Sequence, residues 1–190
     1  YHDSCNVARA SSMGGIMGPF DFLDPRYPVP QHICEITNGL IDQNVLHFDK
    51  SANDDMTLTY HDSCNVARAS SMGGIMGGQF TIPRKIIQTV ANNFYDMDDE
   101  TIREKTYCCG GGGGLLTDDL MELRVKGALP RMEALKHLIE EKGVTHMAAI
   151  CAICKSQFSK VFQYYDLELD QIVSLHQLVS NALIMNKKEV

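Results

Sequence analysis

Apolar positions along this chain switch between short strand-like runs and helical spacing, and the pattern predicts alternating strands and helices. Residues 20–30 hold three prolines and read as extended chain. Residues 31–41 read as a helix with Ile33, Ile36 and Leu40 on one face. A polar turn over 51–55 leads into a short strand over 56–60. Pro83 suits the start of a helix that carries Ile86, Val90 and Phe94 at helical spacing. Residues 104–108 read as a second strand. Thr117 is placed to cap a helix whose first turn holds Asp118 and Asp119, both favourable near its positive end. Pro130 marks a break or kink, after which Met132, Leu135 and Ile139 form an apolar face. Strands follow over 144–150 and 172–175, and Val161, Leu175, Leu178 and Leu183 belong to the closing elements. The expected fold is α/β, with a short, mostly parallel sheet and functional loops at the carboxyl ends of its strands.

Five cysteines fall where that layout would gather them. Cys64, the adjacent pair Cys108 and Cys109, and the C-x-x-C of Cys151 and Cys154 each follow a predicted strand. Forty-three residues separate Cys64 from Cys108, and forty-one separate Cys109 from Cys151. Soft thiolates from three distant segments suit zinc, copper(I) or an iron–sulfur cluster. The adjacent pair runs straight into Gly110, Gly111, Gly112, Gly113 and Gly114, a backbone able to press against a bulky inorganic group and turn N–H groups toward it. Disulfides fit less well: the count of seven cysteines is odd, nothing in the sequence resembles a charged-apolar-small signal peptide, and neighbouring cysteines pair poorly. Structural zinc usually takes two short-spaced ligand pairs, and only Cys151 and Cys154 make one. A redox C-x-x-C alone leaves the other cysteines and the glycines unexplained. The spacing favours an iron–sulfur site, with zinc and thiol redox as the alternatives.

Neighbouring residues carry paired readings. His61, three residues before Cys64, either bonds a cluster sulfur and shuttles protons or simply pins its loop. Arg68 either balances the charge of an anionic cluster or meets a surface partner. Lys155 is a weaker candidate for the same balancing role. Cys34, on an apolar helix face, reads as a small buried hydrophobe, and His146 as a structural histidine. A substrate path is expected between the Cys64 loop and the glycine loop.

Charge and length narrow the function classes. The chain has 190 residues and a formal charge of −7, from 17 basic and 24 acidic side chains. With no basic stripe bearing interleaved aromatics, that argues against nucleic-acid binding. The longest apolar run, 147–154, falls far short of the ~18 residues that suggest a membrane span. Unpaired, metal-type cysteines imply a reducing compartment. Residues 1–18 recur letter for letter at 60–77 and then diverge completely, at Pro19 against Gly78. Structural repeats keep a pattern while the letters drift, so this duplication reads as recent or artefactual, with Cys64 the functional copy and Cys5 and His2 idle.

The motif words point to a family. Tyr60-His61-Asp62-Ser63-Cys64 with Arg68, then Cys108-Cys109-Gly110-Gly111, then Cys151-Ala152-Ile153-Cys154 resembles the CCG domain of heterodisulfide-reductase-like proteins. Cys64-Asn65-Val66-Ala67-Arg68, residues 115–130 and Thr145 to Cys151 are similar, more narrowly, to the K subunit of the membrane complex linked to dissimilatory sulfite reductase. Asn65 departs from the Cys-His-Leu-Gly-Arg-like string of most members. The resemblance implies a partial N-terminal segment over 1–55 and a cysteine-rich domain over 56–190, in a chain that lacks its upstream part. It implies a disulfide oxidoreductase subunit that exchanges electrons between quinol and a small cysteine-tailed sulfur-carrier protein. Its partners would be a membrane cytochrome subunit and other complex subunits, at the cytoplasmic face of the membrane. Five cysteine ligands fit an opened, noncubane [4Fe-4S]-type cluster better than a cube, which needs four. Two other readings stay open: an electron-relay subunit of a glycolate or lactate oxidase, and a zinc-stabilised interaction module.

Overall fold

The computed structural model describes residues 31–69, 72–113 and 116–185. Three short strands, β1 (Leu58–Tyr60), β2 (His146–Ala149) and β3 (Ile172–Ser174), pair in parallel in that order. Thr59 lies opposite Met147, and Ala148 opposite Val173. Strand alternation sends neighbouring side chains to opposite faces. Ala148 and Val173 therefore join a core with Leu58, Tyr60, Ile86, Val90 and Leu178. Met147 and Ile172 join Met132, Leu135, Phe158 and Phe162 on the other face. Both faces are covered, as a parallel sheet requires.

Helices supply the covers. The first face takes α1 (Ile33–Asp42), α3 (Gly78–Val90) and α6 (Leu175–Ala182), and the second takes α4 (Met121–Lys142) and α5 (Ala152–Val161). A short α2 (Cys64–Ala69) follows β1. Buried Asn53 joins the first layer by donating from its amide to the carbonyls of Val90 and Leu178, at 2.8 and 3.0 Å. The α/β architecture read from the sequence is the one present, with strands formed at three of the four expected places.

The departures have local causes. Residues 104–108 form no strand: Arg103–Lys105 is one 3₁₀ turn followed by extended chain. Side chains take the place of ladder bonds there, because Arg68 binds the Glu104 and Thr106 carbonyls and the Thr106 hydroxyl donates to the Asp62 carbonyl. The helix expected to start at Pro83 starts at Gly78 and holds Pro83 inside. Glycine dictates that start: Gly77 has φ +77°, and a Cβ on Gly78 would stand 1.9 Å from the Met72 carbonyl oxygen. Phe94 lies past the helix end and bridges to Leu58 instead. Pro130 does not break α4, which runs through it for 22 residues. Pro130 is on the exposed side, and burial of Ala128, Met132 and Leu135 holds the helix together across it. Thr117 takes the N-cap position of the 3₁₀ turn Asp118–Leu120 but makes no side-chain cap bond. On α1 the buried positions are Cys34 and Thr37, while Ile33 and Ile36 are exposed, so that helix is turned from its expected face. Residues 1–18 with Cys5, the extended segment at 20–30, and Gly114 lie outside the described residues. Among the described residues no helix is long and apolar enough to cross a membrane.

Candidate metal centre

The loop after β1 is clamped before it reaches the first cysteine. The His61 N–H donates to the Ala148 carbonyl at 2.9 Å, extending the β1–β2 ladder by one bond. Both Asp62 oxygens accept from Arg84, at 2.9 and 2.7 Å, and one also accepts from the Arg103 N–H at 2.8 Å. Arg84 reaches across from α3 and also binds Asp96 at 2.7 Å. Asp62 is only 2 % exposed. Replacing Arg84 by Met is therefore expected to destabilise the fold by roughly 3–5 kcal/mol, since a buried carboxylate would lose its partner. Denaturant unfolding measures this, and a loss under 1 kcal/mol would contradict it. Cys64 opens α2 on this fixed base.

The other two cysteine segments arrive differently. Cys108 and Cys109 sit on the extended chain that Arg68 and Thr106 anchor. The backbone then turns through Gly110 at φ +84°, which leaves its N–H 3.3 Å from Cys108 Sγ. The Gly112 N–H also reaches Cys108, and the Gly111 N–H reaches Cys109. Cys151 is the N-cap of α5, two residues past the end of β2, and Cys154 lies in the first helical turn. The backbone N–H groups of Ile153 and Cys154 face the Cys151 sulfur, and the Ser63 hydroxyl bonds it from the β1 loop.

These segments bring all five predicted thiols into one chain of sulfur contacts: Cys64 to Cys108, Cys108 to Cys109, Cys109 to Cys154, and Cys154 to Cys151. Protons distribute unequally along it. Cys108 accepts from Cys109 and Cys64, which holds its pKa far below the usual thiol value. Cys151 falls to about 5, chiefly because Cys154 donates to it. The donors move the other way: Cys109 rises to about 11 through its bond to Cys108, and Cys64 and Cys154 rise further, with burial adding to both. Negative charge in the line is thus favoured on Cys108 and Cys151 and disfavoured on the other three sulfurs.

No group of three or more His, Cys, Asp or Glu side chains among the described residues is arranged around a single metal ion. The donor set suits a larger sulfur-bound group instead. It has five thiols, N–H donors from the glycine run, and a close approach at Gly111, where a Cβ would stand 3.2 Å from Ile153 and 3.3 Å from Cys109 Sγ. The sequence profile of the cysteine-rich CCG domain family matches residues 58–159. The chain belongs to that family.

Two relatives of the CCG domain are iron–sulfur subunits by name. An Hdr-like menaquinol oxidoreductase iron-sulfur subunit 2 from Archaeoglobus fulgidus is 43 % identical over 154 residues, covering 81 % of this chain and 26 % of the relative. An Hdr-like menaquinol oxidoreductase iron-sulfur subunit from Archaeoglobus profundus gives the same identity and coverage. The chain thus spans about a quarter of the length of these curated relatives. No solved structure gives a significant match.

Around the CCG cysteines, the predicted neighbours have distinct placements. His61 is fully buried, its ring edge-on to Phe158 at 4.9 Å, with no hydrogen bond to either ring nitrogen. Arg68 serves mainly to tie down backbone carbonyls, although its charge also favours the Cys64 thiolate. Gly113 has φ +72° but no atom within 4 Å of a Cβ position, so it shapes the turn without pressing on anything. Cys34 is buried on the opposite face of the sheet, as expected of a small hydrophobe. His146 bonds the Thr145 hydroxyl at 2.8 Å.

Sequence reasoning overlooked Arg124 and Arg131, both at most 2 % exposed, on the inner face of α4. Their spacing with Ala128, Met132 and Leu135 was the available signal, since a cation on an apolar helical stripe needs a reason to be there. A groove of about 220 Å³ reaches Cys108 between the glycine loop and the start of α4, lined by Gly110, Gly112, Leu120, Leu123, Arg124 and Gly127. The Cys64 loop does not line it.

Proposed function

We propose that this CCG domain holds one iron–sulfur cluster of the opened, noncubane four-iron type through Cys64, Cys108, Cys109, Cys151 and Cys154, and interconverts a disulfide and two thiols there. The observation that carries the reading is the unbroken line of sulfur contacts drawn from three separate segments. The bound cluster would supply electrons singly to a reaction that takes two electrons and two protons per disulfide. The chain's own residues prepare the site. Cys108 and Cys151 favour the ionised form, and the thiols among the five that remain protonated must surrender protons on loading, so cluster uptake is coupled to proton release. The N–H groups of Gly110, Gly111 and Gly112 donate to sulfur, and Asp62, held by Arg84, keeps the Cys64 loop in register with Cys151 through Ser63.

The groove at Cys108 favours substrate chemistry over a pure relay, because a relay needs no path for a sulfur compound. By extension from the named relatives, electrons exchange with a quinol pool through a membrane cytochrome subunit. The sulfur partner is a small cysteine-tailed carrier protein, and the domain sits peripherally at the cytoplasmic face. Adding a small alkyl thiol to the oxidised, cluster-loaded protein is expected to change its electron paramagnetic resonance signal. If the signal stays the same while the cluster still cycles electrons, the domain is a relay.

A further inference from the structure

Two buried, nitrogen-bearing side chains near the cysteines are left with donors that nothing in the fold accepts. His61 is fully buried, and neither Nδ1 nor Nε2 has a hydrogen-bond partner. A neutral imidazole always carries one N–H, and buried donors are normally satisfied. The ring is enclosed rather than turned to water: its backbone N–H is fixed to Ala148, and Phe158, one helical turn after Cys154, packs against it in a T-shaped contact at 4.9 Å.

Arg131 is equally buried and forms no ion pair among the described residues. Its Nη atoms contact Met97 Sδ, the Thr101 carbonyl and the Thr106 hydroxyl, the last at 2.9 Å. Its guanidinium lies 5.6 Å from the centre of the Tyr107 ring, just before Cys108. Its Nε has no partner. Asp62 attracts it, but both oxygens of that carboxylate are already bonded to Arg84. Burial holds His61 neutral, and the nearby Arg131 charge adds to this. Burying a cation is costly unless an anion lies beside it.

We propose that His61 and Arg131 form the buried back wall of the cofactor site, His61 as a hydrogen-bond donor to cluster sulfur and Arg131 as the fixed positive charge facing an anionic cluster. The proposal rests on the cluster assignment above. Both are positioning residues: they touch the cofactor side of the site and no substrate. Donors and cations near a cluster favour its reduced, more negative form.

The test uses the anaerobically reconstituted chain. His61→Leu removes the donor at similar volume, and His61→Gln keeps an N–H; Arg131→Met removes the charge, and Arg131→Lys keeps it. The Leu and Met variants are expected to lower the reduction potential, with Gln and Lys returning it toward the parent value. In the parent protein, electron–nuclear double resonance with ¹⁵N-labelled histidine and deuterium exchange should show one exchangeable proton on a histidine nitrogen coupled to the cluster, absent in His61→Leu. That measurement decides the His61 role even where a variant fails to fold. Iron at the parent level with an unshifted potential in both Leu and Met variants, or no histidine coupling in the parent, would overturn the proposal. Absence of iron from the parent protein would overturn the cluster assignment as well.

Discussion

Changing Cys64, Cys108, Cys109, Cys151 or Cys154 singly to Ser is expected to bleach or alter the visible spectrum and to lower iron content, whereas Cys34→Ser and Cys5→Ser leave both at the parent level. The reasoning is chemical. A serine hydroxyl is a harder, much less acidic ligand than a thiol, so it holds iron–sulfur clusters poorly. It is also topological, because the five sulfurs form one line of contacts and each has at least one of the others as a neighbour. Cys34 belongs to the core on the opposite face of the sheet, away from the line of sulfurs. The comparison of Cys5 with Cys64 also decides between the two copies of the repeated eighteen residues. Retention of the parent spectrum in Cys64→Ser together with its loss in Cys5→Ser would transfer the site to the first copy.

Gly110→Ala should empty the site without touching a ligand. Gly110 has φ +84°, a region L side chains avoid, and a Cβ there would stand 2.2 Å from the Arg124 carbonyl oxygen and 2.9 Å from the Ala128 nitrogen. Backbone atoms of α4 cannot give way by that much, so the loop must move and carry Cys108 and Cys109 with it. Iron content in the reconstituted variant is expected to fall by more than half while far-ultraviolet circular dichroism stays near the parent trace. Gly111→Val, whose first added carbon meets Ile153 and Cys109 at 3.2 and 3.3 Å, should lower occupancy to a smaller degree. Gly113→Ala meets no neighbour, though its positive φ still carries some strain. Full iron in Gly110→Ala would show that the glycine loop is not pressed against its surroundings as the geometry requires.

What the sequence made legible here was local in origin. Short apolar runs ending at Tyr60 and Ala149 carried enough strand signal to place two of the three cysteine segments. The C-x-x-C spacing placed Cys154 one turn from Cys151. Residues 104–108 misled because their extended chain is held by Arg68, more than thirty residues upstream, and no propensity rule encodes such a contact. Pro130 misled in the opposite direction, since tertiary burial of Met132 and Leu135 outweighs the missing N–H. Arg124 and Arg131 were visible as cations on an apolar stripe, yet their meaning depends on which loop packs over α4. That the surroundings of Cys108 and Cys151 favour their ionised forms rests on which sulfurs and N–H groups face them, a matter of three-dimensional order that spacing does not carry.

Elemental analysis of the anaerobically reconstituted chain tests the cluster assignment most directly. About four irons and a matching amount of acid-labile sulfide per chain, without stoichiometric zinc, is the expected result. One zinc per chain and no iron under the same conditions would contradict it.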